Sequence, residues 1–491
     1  MRKMLICLIP IGLWIAWGQP PQMPMPGNAP PKKEAKEAFK NKAPVSQEVL
    51  KVKLPKPVET RLDNGLTVLI LEDHRLPQIS MTLGIRGAGG LDEPADLSGL
   101  ASLTATMLRE GTTTRSSKQI ADETDRLAAG IGGNSGFGVT EASFSMSGLS
   151  DNFDKWFALG VDVLLHPSFP ADEWSKLKQR QLLGLRQNRT SAAFLATERF
   201  NKAVFGNHPA AVIASTPASL EAITPEAMKK WHDERYVPQN TVLGVVGDVT
   251  PAELLPKLKT AFASWKKTGL EAQTPPKPSV TEESRVLLVN RPNSVQTNLM
   301  MGNLAIDRRS PDYAAFVVMN EVLGAGSTAR LFNNLREDKG YTYGAYSSFT
   351  AGSYPGPWRA TSEVRTEVTE GAMKEFFNEF KRIREEKTPA SELEEKKRSV
   401  VARFALSLES PQQLLTYATQ RKFYNLPENY WDTYPAQISA VTAEDVERVA
   451  KKYLSLDNIQ IVAVGDGTKI KSVMEKYGKL TVYDTDGKLV Q

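Results

Sequence analysis

The chain has 491 residues, 41% of them hydrophobic and 24% charged, and a net charge of +5. This length exceeds one ordinary domain, so we expect two large domains or three small ones, each with a sizeable core. The basic residues are spread along the chain without a dense Lys/Arg run, which argues against nucleic-acid binding.

The first residues have the pattern of a secretory signal. A cationic start, Met1-Arg2-Lys3, precedes the uncharged apolar run from Met4 to Trp17, and Ala16-Trp17-Gly18 supplies a small-x-small cleavage pattern. The run is too short for a comfortable membrane span. Residues 1–18 are therefore predicted to be a signal peptide, which places the mature protein in the periplasm or outside the cell with no membrane span. An uncleaved N-terminal anchor remains an alternative.

The predicted mature chain has no thiol, because the only cysteine, Cys7, lies inside the signal segment. This excludes a disulfide or a cysteine-ligated metal after cleavage. Residues 19–56 follow as a stretch rich in Pro, Lys, Met and Ala, which predicts a solvated tether with little to bury.

The rest of the chain reads as two copies of one domain. "TPEAMKKWHDERYVPQNTVLGVVGD" (224–248) and "TAEDVERVAKKYLSLDNIQIVAVGD" (442–466) each begin with Thr and end in Val-Gly-Asp. Both predict a capped helix, a turn and a buried strand. The predicted domains are residues 57–270 and 284–475, joined by a Pro-rich linker at 271–283 and followed by a tail at 476–491.

Each copy opens with strands and continues with helices, which indicates an α+β class. Asn64-Gly65 predicts a hairpin, and hydrophobic residues alternate with small or polar ones from Ile79 to Ile85. In the second copy, Ser310-Pro311 predicts the start of a helix and Gly324 its end.

One helix carries a specific resemblance. "GLASLTATMLREGT" (99–112) is similar to the zinc-site helix of the pitrilysin/insulinase metallopeptidases, whose pattern is Gly-Leu-Ala-His-x-x-Glu-His-Met-Leu-x-x-Gly-Thr. The resemblance extends from about residue 57 to 475. It implies two homologous α/β-roll domains of the metallopeptidase clamshell type, each an antiparallel-rich sheet packed against helices.

The chemical positions of that family pattern are vacant in this chain. Ser102 and Thr106 stand at the two histidine positions, and Ala105 stands at the position of the glutamate base. Hydroxyls are poor zinc ligands beside imidazole, and alanine accepts no proton. The family's third ligand is a Glu expected near residues 180–185, but no Asp or Glu occurs between Trp174 and Glu198.

No other cluster replaces these ligands in the sequence. The four histidines, His74, His166, His208 and His232, share no ligand-like spacing. His166 and His208 are expected to be structural, and His232 is expected to be a surface or half-buried residue. The chain is therefore predicted to hold no metal, and a non-local site remains an alternative.

The second copy retains a different element of the family. "LGAGSTARLFNNLREDKGYTYGAYSSF" (323–349) resembles the family's Arg–Tyr element, which assigns Arg336 and Tyr343 to contact the substrate backbone at the scissile bond. A guanidinium and a phenol are suitable preorganised donors to a developing oxyanion. Alternatively, Arg336 complements a helix C-terminus and Tyr343 packs in a core.

The resemblance implies a non-catalytic subunit of a heterodimeric zinc metallopeptidase. A partner of the same family would hold Zn²⁺, and this chain would supply Arg336 and Tyr343 to bind unfolded or extended peptides. Two alternatives stay open: a non-enzymatic peptide-binding or scaffold protein of the same fold, and an autonomous peptidase with an unrecognised metal site. The glycine-rich stretches match no phosphate-binding pattern.

Overall fold

Two six-stranded sheets organise the part of the chain described by the computed structural model, residues 48–490. The predicted signal peptide, residues 1–18, and most of the predicted tether lie outside the described residues. From Val49 onward the chain forms one unit. Within residues 48–490, none of the helices combines the length and hydropathy needed to span a bilayer.

The first half contains six strands and eight helices among the described residues. The strands are β1 (Val58–Arg61), β2 (Thr67–Glu72), β3 (Gln78–Arg86), β4 (Gly130–Asn134), β5 (Glu141–Leu149) and β6 (Thr241–Gly247). The helices are α1 (Leu100–Met107), α2 (Ser117–Arg126), α3 (Phe153–Leu165), α4 (Ala171–Asn188), α5 (Ala192–Phe205), α6 (Pro217–Ala222), α7 (Pro225–Arg235) and α8 (Pro251–Ala261).

The second half repeats this order. Its strands are β7 (Arg285–Asn290), β8 (Gln296–Leu304), β9 (Thr342–Ala351), β10 (Pro355–Arg365), β11 (Gln460–Gly465) and β12 (Leu480–Tyr483). Its helices are α9 (Tyr313–Leu323), α10 (Arg330–Phe332), α11 (Thr369–Glu385), α12 (Ala390–Ser407), α13 (Pro411–Phe423), α14 (Tyr430–Ser439), α15 (Ala443–Tyr453) and α16 (Gly467–Met474). A π-helical segment, Asn333–Asp338, continues α10.

The two sheets have matching strand orders, β1-β2-β6-β3-β5-β4 and β12-β7-β11-β8-β10-β9. In the first sheet only β2 and β6 are parallel, and in the second β7 runs parallel to β11 and β12. All other pairs are antiparallel. The α+β class and the duplication expected from the sequence are confirmed. β4 and β9 occupy equivalent edges of the two sheets, and the candidate site residues lie beside β4 and on or before β9.

Local sequence explains most of these elements. In β3, Ile79, Met81, Leu83 and Ile85 are buried, as the alternation predicts. The repeated helices begin at Thr224 and Thr442, whose hydroxyls accept from the backbone N–H three residues later. These caps confirm the helix starts of the two copies.

Each sheet is covered on one face by helices of its own half and partly covered on the other by a helix from the opposite half. Helix α5 of the first half packs on the second sheet, where Phe200 is fully buried against Val462 and Met300. Helix α13 of the second half packs on the first sheet, where Leu415 meets Leu69 and Val246. This reciprocal arrangement joins the halves into one core.

Three local expectations are wrong. Helix α9 begins at Tyr313, not at Ser310-Pro311, because Ser310 Oγ accepts from the Asp312 N–H in a turn before the helix. Strand β12 extends the second sheet to Tyr483, so the tail boundary at residue 475 is too early. The end of the predicted tether is not fully solvated, because Val52 and Leu54 pack against the second core.

Candidate functional site

Helix α1, which corresponds to the family's zinc-site helix, is fixed at its start by a carboxylate. Glu93 accepts from the backbone N–H groups of Gly99 and Ala101 at 2.7 and 3.0 Å. The neighbouring Ser98 side chain does not cap the helix and hydrogen-bonds Ser219. Burial raises the pKa of Glu93 to about 7 against the opposing effect of the two backbone hydrogen bonds.

The side chains at the former ligand positions of α1 serve the helix itself. Thr106 Oγ1 donates to the Ser102 carbonyl at 2.9 Å, the usual bond of a helical threonine to the preceding turn. Ala105 is fully buried. Its carbonyl oxygen lies so close to Gly133 of the edge strand β4 that a Cβ there would approach within 2.5 Å. Only glycine allows this approach.

Helix α4 offers no carboxylate at residues 180–185, where the family's third ligand is expected, because its acidic residues, Asp172 and Glu173, lie in its first turn. Gln179, Arg180 and Gln181 are exposed on it, and Lys178 is paired with Glu221 at 2.9 Å. Within residues 48–490 no group of three or more His, Cys, Asp or Glu side chains has an arrangement suited to a metal. Hydroxyls, an alanine and amides do not fit zinc.

Three of the four histidines make hydrogen bonds to groups other than a second histidine. His232 is buried and its Nε2 lies 2.8 Å from the Leu164 carbonyl, so the expectation of a surface or half-buried residue is wrong. His208 Nδ1 accepts from the Ala210 N–H at 3.2 Å, a structural contact. His74 Nδ1 lies 2.8 Å from Asp248 on the exposed surface.

The π-helical segment and strand β9 carry the two retained residues of the Arg–Tyr element. Arg336 lies in the last turn of the segment, with its guanidinium 4.9 Å from the Phe332 ring centroid and 2.6 Å from Glu337. The Tyr343 side chain is 90% exposed. The alternative that Tyr343 packs in a core is therefore wrong, whereas the helix-terminal position of Arg336 agrees with its dipole alternative.

A β-bulge explains the exposure of Tyr343. Thr342 pairs with Val364 and Ala345 pairs with Ser362, so Tyr343 and Gly344 together oppose Glu363. Such an extra residue redirects the side chains of a strand.

Polar side chains hold the bulge in place. Thr342 Oγ1 lies 2.6 Å from the Glu363 carbonyl and accepts from the Gly344 N–H at 3.1 Å, and Ser362 Oγ donates to the Gly344 carbonyl at 2.9 Å. The sequence analysis missed Thr342. The Gly in "YTYGAY" is the only sequence signal that marks the position.

The structure does not join the two sets of predicted residues. Within residues 48–490 no hydrogen bond, ion pair or ring contact links Arg336 or Tyr343 to Ser102, Ala105 or Thr106. The first set lies on α1 beside the edge strand β4, and the second lies on and before the edge strand β9. The residues of the Arg–Tyr element are thus separate from those at the vacant metal positions.

Two family models match most of the described chain. The model of the insulinase family, peptidase family M16, matches residues 67–217, and that of the peptidase M16 inactive domain matches residues 222–400. The uncharacterized zinc protease YmxG of Bacillus subtilis is 23% identical over 404 residues, 80% of this chain and 95% of that protein. The non-peptidase homolog YmxG of Helicobacter pylori is 23% identical over 409 residues, which are 82% of this chain and 93% of that protein.

Solved structures match over the same range. The crystal structure of a peptidase M16 inactive domain from Pseudomonas fluorescens is 29% identical, with a TM-score of 0.77 over 84% of this chain and 98% of that one. The crystal structure of a protease from Helicobacter pylori is 20% identical, with a TM-score of 0.77 over 84% of this chain and 100% of that one. At this identity the match supports the fold alone.

Proposed function

The chain belongs to the peptidase M16 (insulinase) family, as a non-catalytic relative of its peptidases, and from that premise we propose that it is the substrate-binding subunit of an exported heterodimeric zinc metallopeptidase. A zinc-bearing subunit of the same family is the proposed partner. The contrast between the two sites supports this assignment. Ser102, Ala105 and Thr106 offer no zinc chemistry, whereas a bulge turns Tyr343 into solvent on the strand that follows the segment carrying Arg336.

Arg336 and Tyr343 would act on the peptide in trans. Both offer hydrogen-bond donors to solvent, and neither depends on a metal held by this chain. Donors fixed before the reaction stabilise a carbonyl oxygen as it gains negative charge. The partner would supply Zn²⁺, which activates the attacking water.

The edge strand β4 gives the peptide a second means of attachment. Its sequence, Gly-Ile-Gly-Gly-Asn from Gly130 to Asn134, contains no charge and no proline, and among the strands of residues 48–490 it pairs only with β5. Natural edge strands usually carry charged side chains or proline, which prevent pairing with another chain. An extended peptide can therefore add to β4 through its backbone, which tolerates many sequences.

The N-terminal pattern of residues 1–18 supports export, with the mature protein in the periplasm or outside the cell. The non-peptidase homolog YmxG of Helicobacter pylori favours a second candidate, a peptide-binding or scaffold protein of the same fold. That candidate predicts that no zinc-bearing partner yields proteolysis. An autonomous peptidase would instead contain stoichiometric metal in the purified chain.

The test measures cleavage of an unfolded peptide by this chain, by a zinc-bearing M16 partner and by their mixture. We expect activity in the mixture to fall about 100-fold with Arg336→Ala or Tyr343→Phe. Arg398→Ala, an exposed arginine on α12, and Tyr477→Phe, outside the bulge, serve as matched controls. Full activity of a mixture that contains either Arg336→Ala or Tyr343→Phe would refute the role proposed for that residue.

A further inference from the structure

One face of the second sheet is only partly covered. Helix α5 lies on this face over β7, β11 and β8, where it buries Leu287, Val462 and Met300. Strands β10 and β9 continue the same face beyond the helix. We call their four central side chains on this face the uncovered floor: Tyr346 and Ser348 on β9, and Arg359 and Thr361 on β10.

Register defines which side chains share this floor. Thr361 pairs with both Met300 and Tyr346, and Arg359 pairs with Ser348. Because paired residues point to the same face, Tyr346 and Arg359 are diagonal neighbours, about 7 Å apart at their backbones. The bulge turns Tyr343 outward beyond Tyr346, so the floor continues toward the Arg–Tyr element.

Arg359 is a half-buried cation without a partner. Within residues 48–490 it makes no hydrogen bond, ion pair or ring contact through its side chain, and burial lowers its pKa. Its neighbour across the strand pair is Gly302, whose lack of a side chain leaves the arginine uncrowded. A guanidinium removed from water without an anion is unfavourable, so an arginine kept in this state is suited to bind one.

The charged side chains on the same face of β10 do not engage Arg359, so its guanidinium is available to a ligand. The acid on the same face of β10 is Glu363, four residues along the strand and about 13 Å away. Arg365, farther along the same face, is already engaged by Glu367 and the Gly340 carbonyl, both at 3.0 Å.

Tyr346 provides an apolar surface beside this charge. Its ring lies 5.6 Å from that of Phe332 and folds over Gly344, where a Cβ would approach the ring within 2.5 Å. The Tyr346 side chain is still 43% exposed. A fixed, half-exposed aromatic ring next to a free guanidinium can receive an apolar side chain that adjoins a carboxylate.

We propose that the uncovered floor is a carboxylate-recognition subsite for the bound peptide, with Arg359 binding the carboxylate and Tyr346 packing against the neighbouring apolar side chain. The carboxylate belongs to an acidic residue or to the peptide's C-terminus. This inference rests on the proposed function and names its substrate class: peptides in which an apolar residue adjoins an acid.

The equivalent face of the first sheet lacks these groups. On the side opposite the buried Phe144 and Met146, its strand β5 carries Ser143, Ser145 and Ser147, and the charged residue on that side is an acid, Glu141, at the start of the strand. Serines offer no charge and little apolar area. The selection for acidic peptides is therefore confined to the second half, close to Arg336 and Tyr343.

The test measures binding of short fluorescein-labelled peptides to the purified chain by fluorescence anisotropy. Three peptides blocked at both ends carry Phe-Glu, Phe-Gln or Phe-Lys, and a fourth ends in Phe-Gln with a free C-terminal carboxylate. We expect the Phe-Glu peptide to bind about tenfold more tightly than the Phe-Gln peptide, with Phe-Lys weakest. Comparison of the free-carboxylate peptide with blocked Phe-Gln distinguishes the two sources of the carboxylate.

Variants at Arg359 and Tyr346 test whether the uncovered floor causes the preference for the Phe-Glu peptide. Arg359→Gln should abolish the tenfold preference while the blocked Phe-Gln peptide binds as before, and Arg365→Gln should preserve the preference. Tyr346→Ala should weaken binding of Phe-Glu several-fold more than binding of an Ala-Glu peptide. Thermal unfolding shows whether each variant is folded.

The two proposals fail differently. If peptides bind but wild type does not prefer Phe-Glu, or if Arg359→Gln keeps the preference, the subsite is refuted and the proposed function stands. If none of the peptides binds and the mixture with a zinc-bearing partner cleaves nothing, both are refuted.

Discussion

Tyr343 and Ala345 lie two residues apart on β9, yet the Tyr343 side chain is 90% exposed and Ala345 is fully buried. In a regular strand these two side chains would point to the same face. The bulge at Tyr343 and Gly344 adds one residue and reverses the direction of the tyrosine. The exposed phenol thus depends on strand pairing.

The bulge can be tested through Thr342. Thr342→Val removes the hydroxyl that contacts Glu363 and Gly344. We expect the free energy of unfolding to fall by about 1–2 kcal/mol, because these backbone groups lose their partner. Cleavage by the mixture with a zinc-bearing partner should fall as it does for Tyr343→Phe. Thr350→Val, an exposed threonine on the same strand, is the control and should change neither quantity. Unchanged cleavage with Thr342→Val would show that the bulge does not position Tyr343.

Restoring the family motif on α1 should not restore a metal site. The triple variant Ser102→His, Ala105→Glu, Thr106→His supplies two imidazoles, but α4 still lacks the third ligand. A carboxylate at the fully buried position 105 should also lower the melting temperature. Metal analysis after dialysis should find less than stoichiometric zinc. Adding Gln181→Glu to the triple variant tests the missing ligand, and one zinc per chain in the triple variant alone would contradict the expectation.

The reciprocal helices predict that the two halves unfold together. Phe200→Ala on α5 creates a cavity against the second sheet and should lower the free energy of unfolding by about 3–5 kcal/mol. Urea denaturation, combined with hydrogen exchange of β6 and β11, should show one transition for both sheets. Phe194→Ala, at a half-buried position on the same helix, should cost less. Separate transitions would show that the halves are independent.

Glu93 should make stability depend on pH. Its folded-state pKa of about 7 lies above the value of 4.5 that it has in the unfolded chain. The folded protein therefore keeps a proton that the unfolded chain loses, so this contribution to stability is complete below pH 4.5. It declines as the pH rises toward 7, by on the order of 3 kcal/mol.

The check on Glu93 is the difference between wild type and Glu93→Gln. Urea denaturation across this pH range should show wild type losing stability relative to the variant as the pH rises. Parallel curves for the two proteins would mean that the backbone N–H groups of Gly99 and Ala101 keep the pKa of Glu93 near its usual value.

The sequence by itself determined the duplication, the α+β class, the capped repeated helices and the empty metal positions. Each depends on residues close together in the chain: strand alternation, a threonine three residues before its hydrogen-bond donor, or two ligand positions one helical turn apart. Ser102 and Thr106 could therefore be assessed by comparing one short stretch of sequence with the family pattern that it resembles.

Only the tertiary structure decided which residues face solvent at the second sheet. The exposure of Tyr343 depends on which residues of β10 pair with β9. Arg359 lies without a partner because helix α5 of the other half does not extend over β10. Both relations join segments far apart in sequence. No local sequence pattern encodes either one. The pairing register of β9 with β10, and the extent of the sheet that α5 covers, are selected by packing across the whole core.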